Sequence, residues 1–572
     1  MKRETYCSAA WGKRSFTFCA LILSVSLAFG QSSKLSKDLQ SLPSGQSVNV
    51  IVQYYNAPGT GDDNAAASAG ATNGKKLGHY KGKGWTMSPS AAAKLVSLDA
   101  NVKYISPDRP LKGAMNYAVS AVNADLAHNL GFDGTGVGVA LIDSGVNPVA
   151  DLSSGNRIVY SQNFDPSANT TNDLYGHGTH VAGIVAGNGT SSNCSNCDVH
   201  FMGIAPNAKI INLRVLDANG SATDSTVIAA IQQAITLQSQ YNIRVINLSL
   251  GRGVFESYTL DPLDQAVEQA WNAGIVVVAA AGNYGRDNSN NNNGYGTITA
   301  PGNDPYVITV GAMKTMGTAT RADDLIATYS SKGPTMFDHV VKPDLVAPGN
   351  LIISDLASTS DTLYSLYPAN LVPISYYTTS GNNHASSNYY QLSGTSMAAP
   401  MVSGAAALLL QQNPSLTPDQ VKARLMKTAY KTFPTTSSYT DSSTGITYVD
   451  YYDIFTVGAG YLDVYAALNN SDLAPSNAGS ALSPTAVYNA SSGTVNLVNG
   501  SSVVWGTSVV WGTSVVWGTS VVWGTNTSGQ SVVWGTSNQA WDSATSVVWG
   551  SSVVWGTKTN SDAMTIAVGG DK

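Results

Sequence analysis

The chain is predicted to fold as an α/β protein: a doubly wound, mostly parallel sheet with helices on both faces, preceded by a small α+β unit and followed by a β-prone repeat tail. Three observations predict this. Between about Gly136 and Leu468, near-continuous Val/Ile runs alternate with helix-period segments, the pattern of strands buried on both faces of a parallel sheet. Ahead of that region lies a shorter stretch with strand and helix patterns of its own. Behind it, Ser-Val-Val-Trp-Gly occurs seven times between Ser502 and Gly556, the first four copies six residues apart.

At the N-terminus, Lys2, Arg3, Lys13 and Arg14 precede an apolar run from Phe16 to Phe29, and Ala28 and Gly30 offer small residues for cleavage. This is the anatomy of a secretory signal peptide, assigned to residues 1–30, and it predicts a secreted or extracellular protein. The run is shorter than the roughly 20 residues of a membrane span. No transmembrane anchor is expected once the signal is removed.

Within residues 31–111, Val48–Tyr55 and Val102–Ile105 read as strands and Pro89–Leu98 has helical spacing. Lys75, Lys76, Lys81, Lys83 and Lys94 make this unit basic, as a solvated face or as a docking surface for the domain that follows. In the main domain, residues 112–468, the strand candidates are Val137–Ile142, Ala208–Val215, Val245–Leu250, Ile275–Ala280 and Val307–Ala312. The helical candidates lie around His180–Ala186, Thr223–Gln238, Pro262–Ala273 and Met397–Gln411. Residues 469–500, rich in Ser, Ala and Asn, read as a linker. Residues 501–557 form the repeat region and 558–572 a C-terminal tail. The six-residue period suits either an extended strand or a stacked β repeat with Gly-Thr-Ser turns.

Composition narrows the function. The 572 residues exceed one core. With 12% charged residues and a net charge of −6, the chain lacks the clustered basic surface of a nucleic-acid binder. Of four cysteines, Cys7 and Cys19 leave with the signal. Cys194 and Cys197 remain in Asn193-Cys-Ser-Asn-Cys-Asp198, where a local disulfide suits an oxidising compartment. Zinc would need about four ligands, and only His200 and Asp198 lie nearby.

Four glycine-flanked stretches carry chemistry: Ala140–Gly145 with Asp143, Gly176–His180, Ala280–Asn283 and Gly394–Ala398 with Ser396. Amide hydrolysis by serine needs a nucleophile, a base, an orienter for the base, and donors for the oxyanion. Ser396 opens an apolar helix and is the nucleophile candidate. Either histidine of Gly-His-Gly-Thr-His could be the base; His177 lies at the strand-to-helix corner, whereas His180 sits inside the helix and is expected to pack. Asp143 ends an apolar strand and needs a partner, which an imidazole supplies. Asn283 offers an amide donor after a tight turn. Singly, each stretch is more often a helix cap or a turn. A cap or a turn does not account for their joint occurrence in the order Asp, His, Ser.

These stretches resemble those of the subtilisin-like serine endopeptidases. The resemblance spans about Gly45–Leu468 and none of the repeat tail. It implies a triad of Asp143, His177 and Ser396, with Asn283 and the Ser396 N–H as oxyanion hole. It implies backbone rails for an extended peptide at Gly220, Ser221 and Ala222 and at Ser249, Leu250 and Gly251, and a pocket wall at Ala281 and Gly282. It implies no cofactor for the chemistry, a structural calcium site using Asp151, and a self-cleaved propeptide around Gly45–Leu111 that inhibits the mature enzyme. Tyr117–Ser120 matches a mature start, which puts processing between Leu111 and Tyr117.

Three features depart from the family pattern. The loop that would complete the calcium site is replaced by the cysteine-bearing stretch at 188–198. The segment between Gly349 and Ser393 is long and tyrosine-rich (Tyr364, Tyr367, Tyr376, Tyr377, Tyr389, Tyr390), shaping the leaving-group side or elaborating the surface. Arg252 beside the rails is expected to be solvated. The expected partners are protein or peptide substrates, the chain's own propeptide, and a surface or a second copy bound through the repeats. The alternative is a surface or matrix protein in which the repeats are the functional part.

Overall fold

A computed structural model describes residues 34–36, 39–40, 42–77, 81–108, 114–289, 292–379, 385–441, 444–489, 494–498, 503–505, 509–511, 516–517 and 569–571. The expected signal peptide and most of the repeat region lie outside the described residues, as does part of the expected processing segment. The chain divides into two compact units, Met1–Leu111 and Lys112–Lys572.

The first unit is a four-stranded antiparallel sheet of β1 (Val48–Tyr54), β2 (Thr72–Lys76), β3 (Gly82–Met87) and β4 (Val102–Pro107), in the order β2-β3-β1-β4, with helices α1 (Thr60–Ala69) and α2 (Pro89–Leu98). Period-two alternation in β1 buries Val50, Val52 and Tyr54 against Ala92 and Leu95 of α2 and Ile105 of β4, giving the unit its own core. Ser88 caps α2 by accepting the Ala91 N–H, and Pro89 fills the first turn, where its missing donor costs nothing. Lys83, expected among the basic face, is buried and paired with Asp63.

The second unit is built on an eight-stranded sheet. Its strands are β5 (Gly138–Asp143), β6 (Ile158–Asn163), β7 (Lys209–Arg214), β8 (Ile243–Leu248), β9 (Val276–Ala280), β10 (Ile308–Lys314), β11 (Leu325–Ile326) and β12 (Leu345–Pro348). The path runs β11-β10-β9-β8-β5-β7-β6, with β12 also pairing β10; every pairing is parallel except β10 with β11. Strand order reverses around β5, so a crevice opens beyond the carboxyl ends of β5 and its neighbours, where doubly wound sheets bind ligands. β5, β9 and β10 are buried at every residue, as their unbroken apolar runs require.

The helices of this unit include α3 (His177–Ala186), α4 (Asp224–Thr236), α5 (Pro262–Asn272), α6 (Thr395–Gln412) and α7 (Pro418–Thr428). α6 is apolar all round and buried along nearly its whole length, as such a helix must be. Its Gly404 allows close approach: a Cβ there would stand 2.5 Å from Ile204 Cβ.

Of the expected linker 469–500, the described residues 469–489 and 494–498 are packed rather than free, which corrects the sequence expectation. Ala474 and Ala481 are buried, and Thr485–Asn489 pairs with Thr494–Val498 as a hairpin whose Ala486 and Leu497 join Tyr295, Val341, Ile454 and Phe455 in a small core. Small polar residues there serve buried partners: Ser483 Oγ donates to Asp344 Oδ1 at 2.5 Å and accepts from Lys422 Nζ at 2.9 Å. In the repeat region, Val503–Trp505, Val509–Trp511 and Val516–Trp517 pair antiparallel in sequence order, one short strand per copy.

Candidate active site

Asp143 is the last residue of β5 at the centre of the sheet, and its carboxylate is buried. Its Oδ1 accepts the Ser144 N–H at 2.7 Å and lies 2.8 Å from His177 Nδ1. With Nδ1–H directed at the carboxylate, the neutral imidazole keeps its lone pair on Nε2, the tautomer a general base needs. Burial disfavours the imidazolium, yet the Asp143 charge and hydrogen bond outweigh it, and the His177 pKa is raised overall. His180 contrasts with it. Its Nε2 sits 3.1 Å from the carbonyls of Ile352 and Tyr390, and burial pushes its pKa down to about 3. It packs as a neutral histidine.

His177 opens α3, and the turn before it is held by a residue that sequence reasoning missed. Buried Asp173 accepts the N–H groups of Gly176 (2.7 Å) and Thr179 (2.8 Å) and the Ser144 hydroxyl (2.8 Å). Ser144 Oγ in turn accepts the Gly178 N–H at 2.8 Å. Gly176 has φ +102°, and a Cβ there would meet the Asp361 carboxylate at 2.7 Å, so glycine is required.

Ser396 lies in the first turn of α6, where backbone N–H groups have no intrahelical acceptor. Its hydroxyl donates to the Ser249 carbonyl at 3.1 Å. A relay from Ser403 to Asn247 (2.8 Å), to Ser249 Oγ (2.9 Å), to the Ser396 carbonyl (2.8 Å) ties this turn to the end of β8. Asn283 follows β9. Its Oδ1 accepts from Thr395 N–H at 2.9 Å and Thr395 Oγ1 at 3.1 Å, which fixes the amide plane and leaves Nδ2 without a protein acceptor among the described residues.

His177, Ser396 and Asn283 line one cleft of about 390 Å³. Gly220, Ser221, Ala222, Ser249, Leu250, Gly251 and Gly282 line it too. Glycine is needed on both walls: a Cβ on Gly220 would lie 2.7 Å from the Tyr175 ring, and one on Gly251 would lie 2.6 Å from Thr299 Oγ1.

Residues 134–450, more than half of the chain, match the subtilase family model. The chain belongs to the subtilase family. It is 38% identical to the serine protease AprX of Bacillus subtilis (strain 168), over 59% of this chain and 72% of that protein. It is 34% identical to subtilisin DY of Bacillus licheniformis, over 55% of this chain and 90% of that protein. A cold adapted subtilisin-like serine proteinase of known structure is 31% identical over 52% of this chain and 84% of that one, with a TM-score of 0.37; at that score the fold rests on the sheet topology above. The protein is a subtilisin-like serine endopeptidase acting on protein substrates, and its chemistry needs no cofactor.

Other predicted residues of this subtilase are placed differently from expectation. Ala281 is fully buried and outside the cleft lining, which takes its neighbours Ala280 and Gly282 instead. Successive residues leaving a strand point to opposite faces. Arg252 is not simply solvated: it pairs with Asp224 at 2.9 Å and Asp261 at 2.8 Å, so its charge is already met. The expected calcium ligand Asp151 is buried, with Oδ1 accepting the Ser191 N–H at 2.6 Å and Oδ2 the Tyr389 hydroxyl at 2.7 Å. Beside it, burial and the Asp151 charge push Asp355 well above the usual carboxylate range. Both Asp151 oxygens thus already accept from protein donors instead of facing an open cation site. Among the described residues no group of three or more His, Cys, Asp or Glu could hold a metal ion.

Cys194 and Cys197 are joined as a disulfide, with Cα atoms 5.0 Å apart. Part of the tyrosine-rich segment is core rather than surface. Tyr377 and Tyr389 pack edge-on against Phe201, with ring centroids 5.7 and 4.6 Å away. No helix among the described residues is long and apolar enough to cross a membrane.

Proposed function

We propose that this subtilase is an exported endopeptidase that cuts peptide bonds through Asp143, His177 and Ser396, and that it is made as a precursor which removes its own N-terminal unit. The observation that carries the reading is the 2.8 Å pairing of His177 Nδ1 with the Asp143 carboxylate in the cleft that also holds Ser396. An extended substrate chain pairs with the backbone of Gly220–Ala222 and Ser249–Gly251 by strand addition. Ser396 Oγ turns from the Ser249 carbonyl, gives its proton to His177 Nε2 and attacks the scissile carbonyl carbon. The oxyanion accepts from Asn283 Nδ2 and the Ser396 N–H. His177 then passes the proton to the leaving amine, the C–N bond breaks, and an acyl-Ser396 ester remains. Water, deprotonated by His177, attacks the ester, and its proton returns to Ser396 as the acid product leaves.

The N-terminal unit has a core separate from that of the catalytic unit, as a detachable inhibitor and folding aid requires. Its release between Leu111 and Tyr117 by Ser396 itself completes the reading, and the apolar run Phe16–Phe29 supports export.

A fluorophosphonate probe tests the proposal. The mature wild type should label stoichiometrically at Ser396, and Ser396→Ala and His177→Ala should each abolish nearly all labelling and turnover. In a protease-deficient host, Ser396→Ala should accumulate with Gly45–Leu111 attached. Normal processing of that variant would exclude self-cleavage. Absence of labelling in the wild type would leave the surface-protein reading standing.

A further inference from the structure

Asp571 is buried, and its carboxylate is met on two sides by cations. Oδ1 accepts from Arg286 Nη2 at 2.5 Å and from the Thr328 hydroxyl at 2.9 Å; Oδ2 accepts the Thr328 N–H at 2.9 Å and lies 3.0 Å from Lys314 Nζ. The backbone is read as well. Asp571 N–H donates to Asn350 Oδ1 at 2.8 Å, and Asn350 Nδ2 donates to the Asp571 carbonyl at 2.9 Å. The residue before it also fits closely: Gly570 has φ +55°, and a Cβ there would stand 2.7 Å from Asn350 Oδ1 and hard against Ser393 Oγ.

The recess is assembled from distant segments. Arg286 follows β9, Lys314 ends β10, Thr328 follows β11, and Asn350 follows β12. Two tyrosines paired across the Thr436–Tyr451 hairpin wall it: Tyr448 lies 4.9 Å from the Arg286 guanidinium, and Tyr439 lies 4.8 Å from Lys314 Nζ. Arg286 has a second carboxylate in Asp441 at 3.2 Å. For buried Lys314, Asp571 is the carboxylate partner among the described residues. A buried cation without an anion is strongly unfavourable, so the recess is built for an acidic ligand.

We infer that the Arg286–Lys314–Asn350 recess is a peptide-binding socket for a Gly-Asp segment, and that its occupant is the chain's own Gly570–Asp571. The chain that carries the repeats, from Val498 to Gly569, is thereby held at both ends by the catalytic unit. The docked segment also braces two loops of the cleft. Arg286 lies three residues beyond Asn283. Asn350 adjoins Gly349, whose carbonyl accepts the Gly394 N–H at 2.8 Å, and Ser393 Oγ accepts the Leu351 N–H at 2.8 Å, two residues before the turn that presents Ser396.

The test uses the full chain carrying Ser396→Ala, so that it reads docking and not hydrolysis and its failure leaves the triad untouched. Asp571→Asn should lower the melting midpoint by several degrees, and Gly570→Val, which keeps every charge, should do the same. The Asp571→Asn effect should largely vanish when Lys314 is already Met. A labelled peptide Ala-Val-Gly-Gly-Asp-Lys should bind the Asp571→Asn chain saturably, weaken with salt, raise the melting midpoint back, and bind the chain with native Asp571 at least tenfold more weakly. An unchanged midpoint in both single variants, or a peptide with Asn in place of Asp that binds equally well, would overturn the socket. If Lys314→Met does not fold, the peptide measurement alone decides.

Discussion

At His177, two opposing effects act on one ring. Burial removes water from the imidazolium and lowers its pKa; the Asp143 carboxylate 2.8 Å away raises it by more. The net pKa lies above the ordinary histidine value of about 6.5. As the proposed base, His177 works only when Nε2 is unprotonated, so activity is present above the raised pKa and lost as pH falls through it. The acid limb of kcat/KM should therefore lie above about 6.5. Asp143→Asn removes the larger charge that opposes burial and leaves the weaker one of Asp173, so the limb should move to lower pH while kcat falls by roughly 10⁴-fold through loss of the correct tautomer. A pH profile of both proteins on a small peptide decides this. An acid limb that stays put in the variant would mean that another group titrates. Asn283 belongs to the same scale: Asn283→Ala should cost about 100- to 1000-fold in kcat at near-normal KM, the range established for such a donor within this family.

Among elements of the large sheet, the strands that could be read from sequence are the longer ones buried on both faces. Each of β5, β7, β8, β9 and β10 lies within two residues of an expected run. β6 went unread because Ile158–Asn163 is only half buried and turns polar after three residues, so it lacks both an unbroken apolar run and clean alternation. The four stretches of the proposed site were legible because glycine and its neighbours encode a local backbone shape. Asp173, Asn247 and Asp571 were not, because their meaning lies in partners 29, 156 and 285 residues away in the chain. Asp264, in the first turn of α5, is a further buried acid whose role is set by its surroundings. Its Oδ2 accepts from Asn303 Nδ2 at 2.8 Å, and burial, reinforced by Asp304 and Asp261, pushes its pKa up to about 9. The folded state keeps this acid protonated where the unfolded chain ionises near 4. Its stabilising contribution is whole below that value and is lost as pH rises toward about 9. Asp264→Asn should therefore raise the melting midpoint at pH 8 and change it little at pH 4. A gain of equal size at both values would mean that the side chain is not held neutral.

For the whole molecule, the catalytic unit extends past the last residue that matches the family, and its lower edge is closed by what looked like a linker. Lys422 is buried, and burial pushes its pKa down to about 7; it donates to the Pro305 carbonyl at 2.7 Å and to Ser483 Oγ at 2.9 Å. Asp344 is also buried, but Lys342 and Lys422 hold it below the usual carboxylate range, and Ser483 completes its shell. The chain around Ser483 thus seals a charged cluster beneath β10 and β12, adding backbone bonds from Val341 N–H to the Pro484 carbonyl (2.8 Å) and from Ala486 N–H to the His339 carbonyl (2.8 Å). A chain ending at Asn470 would open that cluster to water and strip Ala486 and Leu497 from their core, removing several partners of buried polar groups at about 1–3 kcal/mol each. A chain ending at Val498 keeps the seal and loses the repeats together with the Asp571 anchor. Its hydrolysis of a small peptide should persist at moderate temperature, with a melting midpoint a few degrees below that of the full protein. The shorter chain should melt far lower or fail to accumulate in soluble form. Thermal melts and peptide hydrolysis of the two truncations, side by side, separate sealing from anchoring. Equal stability of the two would mean that residues 471–498 contribute nothing to the fold, against the burial of Ala474, Ala481 and Leu497.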